Sequence, residues 1–345
     1  MLLPQRVFAA DVHGWELEQL RLQLPDSATE YLSGETPETL DGAAERIGER
    51  LFGKLRELKG EETAFALLLF SVVTASSLAS GAGENSRAEK SAVLASVVAV
   101  SSAAVSDMRS FLELSRSTLQ NLSDYADVLL PTLAAAASVE GQVSSSVGKC
   151  AATAMYMSVL IHLAQSVVFP LICGRAALCA ADAALGNHAL KAAGALLRSA
   201  CNTLLAGLSL AFTFWISAIS LISGSGDAAA ARVTKTVLST SLPVVGKILS
   251  DASGTLCAAA GTIRGTAGVF GMLAVLCVCL TPCLRLGLRL LVYKLTAAVC
   301  RCLCDSRLSS LLDGLGETFS MLLGVIGTAA LAVFVSVFSL VKAVS

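Results

Sequence analysis

Few residues in this sequence are suited to chemistry. Three histidines, His13, His162 and His188, stand far apart and offer no metal-ligand spacing. Only His162 falls within an uncharged run, where an ionisable group is a functional candidate by default. Gln165 follows it at one helical turn, and a neutral imidazole hydrogen-bonded between helices is the favoured reading. Cys300-Arg301-Cys302-Leu303-Cys304 is the densest group of thiols. Thiolates so grouped bind metal or, beside a membrane, accept palmitate. On a helix, however, an alternating trio points to different faces, and no second cysteine pair completes a coordination shell.

The remaining candidates are weaker. Cys277, Cys279 and Cys283 lie in an apolar run and read as small hydrophobes. No GxxxxGK[ST] loop occurs, so any use of ATP falls to a partner. Ser144-Ser145-Ser146 lacks the GxSxG setting of a nucleophilic serine. Phe214 and Trp215, near the middle of a hydrophobic run, read as packing residues. The sequence assigns no catalytic, cofactor-binding or metal-ligating residue, and the chain reads as non-enzymatic.

The elements that position any function here belong in a membrane. The 345 residues are 54% hydrophobic and only 15% charged, with a mean hydropathy of +0.71. Soluble domains carry about 25% charged residues, so this chain lacks the polar surface to stay in water. Its many Ala, Ser and Gly residues let helix backbones approach closely in lipid, where packing supplies the cohesion. A net charge of −1 and the absence of a long basic run exclude a nucleic-acid partner. The eleven cysteines lie mostly in apolar runs, which argues against a disulfide framework. The fold class is therefore all-α, a polytopic helical membrane protein.

Along the chain, residues 1–62 form an N-terminal extracytoplasmic segment and 63–345 a polytopic membrane domain. Val7-Phe8-Ala9-Ala10 resembles the small-residue end of a signal peptide and reads as its remnant, with a ragged N-terminus as the alternative. Thr36-Pro37 starts an amphipathic helix whose Leu40, Ala44, Ile47, Leu51, Leu55 and Leu58 share one face. Uncharged runs at 63–83, 150–174, 202–226, 266–284 and 319–341 are spans, and the shorter 91–106 is a sixth. Residues 107–127 are charged and amphipathic, with Met108, Phe111, Leu112, Leu119, Leu122 and Tyr125 apolar. Val128 to Val139 is too short to span and reads as re-entrant or interfacial. Residues 175–201 read as an amphipathic connection, and 285–317 as a basic loop.

Lys and Arg set the orientation of short loops. The stretches 84–90, 175–201 and 285–317 carry ten basic residues, against seven in 107–149 and 227–265. This places the first group in the cytoplasm and both termini outside it.

The most patterned stretch is Arg232 to Ala298. Leu238, Leu242, Val245, Leu249, Ala252, Leu256 and Ile263 make a helical stripe, too polar on its other side for lipid. Arg232-Val233-Thr234-Lys235, the Leu-Pro-Val-x-Gly segment at 242–246, Asp251-Ala252, the span at 266–284 and Tyr293-Lys294-Leu295 with Ala297-Ala298 follow in order. Upstream stand Leu129-Leu130-Pro131 and Val168-Phe169-Pro170-Leu171. Over residues 90–345 this pattern resembles the stage III sporulation protein AE family of endospore-forming Firmicutes. The cysteine-rich 300–304 and the high Ala and Ser content depart from it.

The resemblance implies a non-enzymatic subunit of a secretion-like channel complex between mother cell and forespore, needed for late forespore development. It implies residence in the mother-cell membrane around the forespore. It also implies as partners a cytoplasmic ATPase, ring-forming subunits and other stage III sporulation membrane proteins. The competing expectation is a stand-alone small-solute transporter, which calls for paired intramembrane charges or broken, inverted-repeat helices.

Overall fold

The apolar stripes of this chain continue past the charges that bound its uncharged runs, and the helices continue with them. The computed structural model describes residues 40–81, 86–139, 143–222, 266–303 and 306–344. Among the described residues the elements are all helical: α1 (Leu40–Gly81), α2 (Ser86–Val139), α3 (Val143–Leu163), a π-turn (Ala164–Val168), α4 (Phe169–Leu185), α5 (His188–Ile222), α6 (Thr266–Leu303) and α7 (Ser306–Val344). Among the described residues, six stretches are long and apolar enough to cross a bilayer: Gly53–Ala79, Ser91–Leu133, Gly148–Leu185, Ala189–Ala218, Gly271–Leu303 and Ser306–Leu340. The chain is an all-α polytopic membrane protein.

Several boundaries differ from those of the sequence reading. Val128–Val139 is not a re-entrant segment, because Val93, Val97, Val100, Ala104, Met108, Phe111, Leu119, Leu122, Ala126, Leu129 and Leu133 form one unbroken buried stripe. That stripe holds 91–139 in a single helix, with Pro131 inside it. Helix α1 likewise runs without a break across residue 62. Pro170 does not interrupt the third crossing. The chain widens into the π-turn just before it, with the Phe169 N–H donating to the Ala164 carbonyl. The wider turn accommodates the donor and the space that the proline ring takes away.

Residues 175–201, read as an amphipathic connection, are a helical hairpin within two crossings. Gly186 adopts φ +65 and its N–H bonds the Asp182 carbonyl, while the Asn187 side chain accepts the Ala189 N–H. A left-handed glycine stops one helix and an asparagine caps the next, so two residues suffice for the reversal. Residues 285–317, read as a basic loop, are the facing halves of α6 and α7. Leu286, Tyr293, Ala297 and Cys300 pack there against Leu308, Leu311, Leu312, Leu315 and Phe319. The helical stripe from Leu238 to Ile263, the last four residues of the run at 202–226 and the N-terminal 1–39 lie outside the described residues.

Helix α7 is the centre of the bundle and packs against α2, α3, α4, α5 and α6. The junctions α1–α2, α4–α5 and α6–α7 share one end, where the Ser77 hydroxyl donates to the Leu303 carbonyl at 3.0 Å. Gly186 there lies against the Arg307 side chain. These junctions fall within the three stretches assigned together to one side of the membrane. At the opposite end, buried Lys149 of α3 donates to the Ser339 carbonyl of α7 at 3.4 Å, and the hydroxyls of Thr153 and Ser336 meet at 2.5 Å.

Candidate functional site

Uncharged windows taken as spans place the charges outside the membrane. The helices instead carry several charges into the bundle, on the faces that also bury the core. Glu62 falls in the stripe Leu58–Glu62–Phe65–Leu69–Val73, and Arg175 in Val168–Ile172–Arg175–Cys179. A charged residue at such a position must find a partner on a neighbouring helix, because lipid offers none.

One cluster joins α1, α2 and α6. Arg289 stands between two carboxylates, with Nη1 3.4 Å from Glu62 Oε2 and Nε 3.4 Å from Asp107 Oδ2. Its guanidinium lies 4.0 Å from the Phe65 ring centroid and 5.3 Å from that of Phe111. These quadrupoles favour a cation where water is excluded. The Tyr293 hydroxyl donates to Asp107 at 3.4 Å. The Tyr293 ring stacks on Phe319 of α7 at 5.1 Å and meets Phe65 edge-on at 5.7 Å. Tyr293, one of the residues that carried the family resemblance, is fully buried and ties four helices together.

A second set lines α7. Glu317 accepts from buried Arg175 of α4 and, at 2.6 Å, from Arg198 of α5. Arg175 also donates to the Gly194 carbonyl at 2.6 Å. One turn earlier, Asp313 takes Lys294 at 2.6 Å and Arg301 at 3.3 Å, both from α6. Two carboxylates thus face four cations.

The depth of this layer follows from the outward side chains. Leu185, Leu303 and Leu78 are exposed at the junction end, and Phe214 and Trp215 far along α5. Those limits lie about 40 Å apart at 1.5 Å per residue, the thickness of a bilayer with its interfaces. Glu317, Arg175, Arg198 and Arg289 lie about 15–21 Å in from the junction end by the same rise. Leu196, Leu291 and Leu295 point outward near them. By this rise the ion pairs of Glu317 and of Arg289 lie between the two limits, whereas Arg301 stands about 3 Å from the junction end.

The residues singled out first fare differently. His162 and Gln165 are exposed on the outer face of the third crossing, not between helices. The inward positions there are Leu160, Ala164 and Val168, and His162 falls nearly opposite them on the helix. Phe214 and Trp215 also face outward, while Phe212 and Ile216 do the packing. Cys277 and Cys279 are buried in the core, and Cys283 is half-buried against it. Cys300 is buried and Cys302 exposed, as alternation on a helix requires; Cys304 lies outside the described residues. No three His, Cys, Asp or Glu side chains converge as metal ligands among the described residues. In single-cysteine variants solubilised in mild detergent, a hydrophilic maleimide should modify Cys302 at least roughly tenfold faster than Cys277 or Cys279. Equal rates would contradict the burial described.

Comparisons with known proteins converge. The family model described as stage III sporulation protein AE matches residues 23–344. A protein named stage III sporulation protein AE, from Bacillus subtilis (strain 168), is 23% identical over 228 residues. The match covers 65% of this chain and 56% of that relative, so the chain accounts for about half the length of the curated relative. No solved structure matches.

Proposed function

The chain belongs to the stage III sporulation protein AE family, and from that premise we propose that it is a non-enzymatic membrane subunit of a channel-type complex between mother cell and forespore. The observation that carries the reading is the family match along nearly the whole chain, joined to six helices able to cross a bilayer. In this reading the protein resides in the mother-cell membrane around the forespore. A cytoplasmic ATPase and ring-forming subunits dock on it, with the three helix junctions turned to the cytoplasm. Bundled helices with outward leucines suit a membrane platform, and energy input falls to the partner. A clean deletion in its endospore-forming host should leave vegetative growth unchanged and halt development after engulfment; normal spore yield would refute the reading.

One observation favours the transporter alternative. Paired charges do lie inside the spans, as that alternative requires. Reconstitution separates the two. A channel-complex subunit alone in liposomes should move no solute, whereas solute uptake by the purified protein would establish the transporter.

A further inference from the structure

We propose that α7 presents a lateral groove that receives a transmembrane helix of another protein, one bringing a carboxylate to the level of Asp313 and Glu317. The inference rests on reading the chain as a subunit of a membrane assembly and goes on to specify the partner's chemistry. Most of α7 is buried, but Asp313, Glu317, Ser320, Leu323 and Gly327 stay half-open along one side. Helix α5 forms one wall, with Leu205 lying against Gly324, and α6 forms the other, with Lys294 against Gly316. The floor combines small residues with a polar end, which lets a second backbone approach closely in lipid.

Charge identifies the occupant. Among the described residues, Arg175, Arg198, Lys294 and Arg301 share the two carboxylates of Asp313 and Glu317. The side chains of Arg198 and Lys294 remain 49% and 40% exposed at a depth where outward leucines meet acyl chains, while Arg301, 60% exposed, stands about 3 Å from the junction end. A cation surplus against hydrocarbon is costly, and a partner's Asp or Glu removes the cost. A second copy fits less well, since Glu62 and Asp107 are turned inward to Arg289. Glu113, an exposed acid of α2, has Arg109 and Arg116 about one turn away on its own helix.

The test places a photoreactive residue at Ser320 of the full chain in sporulating cells and maps the adducts. The expected adduct is a transmembrane peptide of another protein that contains Asp or Glu. Arg198→Glu should reduce that adduct at least roughly tenfold, and exchanging the partner's acid for Lys should restore it. Arg198→Gln, matched for protein level in the membrane, should show an intermediate loss and so exclude misfolding. Adducts only to lipid, to a second copy or to residues 223–265 of the same chain would overturn the proposal. An Arg198→Glu yield equal to wild type would do the same. If the chain co-isolates with other membrane proteins but gives no Ser320 adduct, the groove alone fails. If it co-isolates with none, the subunit reading fails first.

Discussion

Arg289→Ala should strip the membrane of most folded protein, because it leaves Glu62 and Asp107 facing each other without their cation. Removing one partner of a buried ion cluster costs about 3–5 kcal/mol, a large share of any domain's stability. The melting temperature in mild detergent and the steady-state level in the membrane both report it. Arg289→Lys should recover only part of the loss. An ammonium cannot present two donors in a fixed plane or stack between Phe65 and Phe111 as a guanidinium does. The decisive control is the triple variant Glu62→Gln, Asp107→Asn, Arg289→Leu. With no charge left in the cluster, stability should return toward wild type, whereas failure of an unrelated kind would persist. An Arg289→Ala protein that melts within about 1 °C of wild type would show the cluster to be idle.

Gly271→Val should be the most damaging small-residue substitution among the described glycines of α6. A Cβ at Gly271 would stand 2.7 Å from Leu129 Cδ1 and 3.0 Å from Cδ2, and Leu129 is fully buried in α2. Overpacking at such a contact costs about 1–3 kcal/mol. Leu129→Ala should rescue it, since the cavity that substitution opens is where the added methyls go. Gly287 on the same helix is the internal control, because a Cβ there meets nothing within 4 Å. Gly287→Ala should be neutral or stabilising by up to about 1 kcal/mol, the usual helix preference for alanine. Equal effects at Gly271 and Gly287 would show that the α2–α6 contact does not hold the bundle.

The membrane class and the number of crossings were legible because each depends on local composition. A run such as 319–341 has to cross lipid whatever surrounds it. Periodicity also marked the inward faces. Leu51, Leu55 and Leu58 of the first amphipathic helix, and Met108, Phe111, Leu119, Leu122 and Tyr125 of α2, are buried or half-buried as their spacing implied. Charge does not mark the helix ends in this chain. Asp107 follows an uncharged run, yet it falls on the same stripe as Ala104 and Phe111, so the helix passes through it. Glu62, Arg175, Arg289 and Glu317 were overlooked for the same reason. The available signal was a lone charge at a core position of an apolar stripe.

The sequence by itself determined an all-α membrane protein with six crossings, and the order of motifs that links it to its family, because spans and motifs are properties of contiguous residues. Only the tertiary structure decided which charges enter the bilayer, and that His162 looks outward while Tyr293 joins four helices. Only it brought Glu62, Asp107 and Arg289 together, since an ion pair between residues 227 positions apart depends on how helices pack and not on what either helix contains.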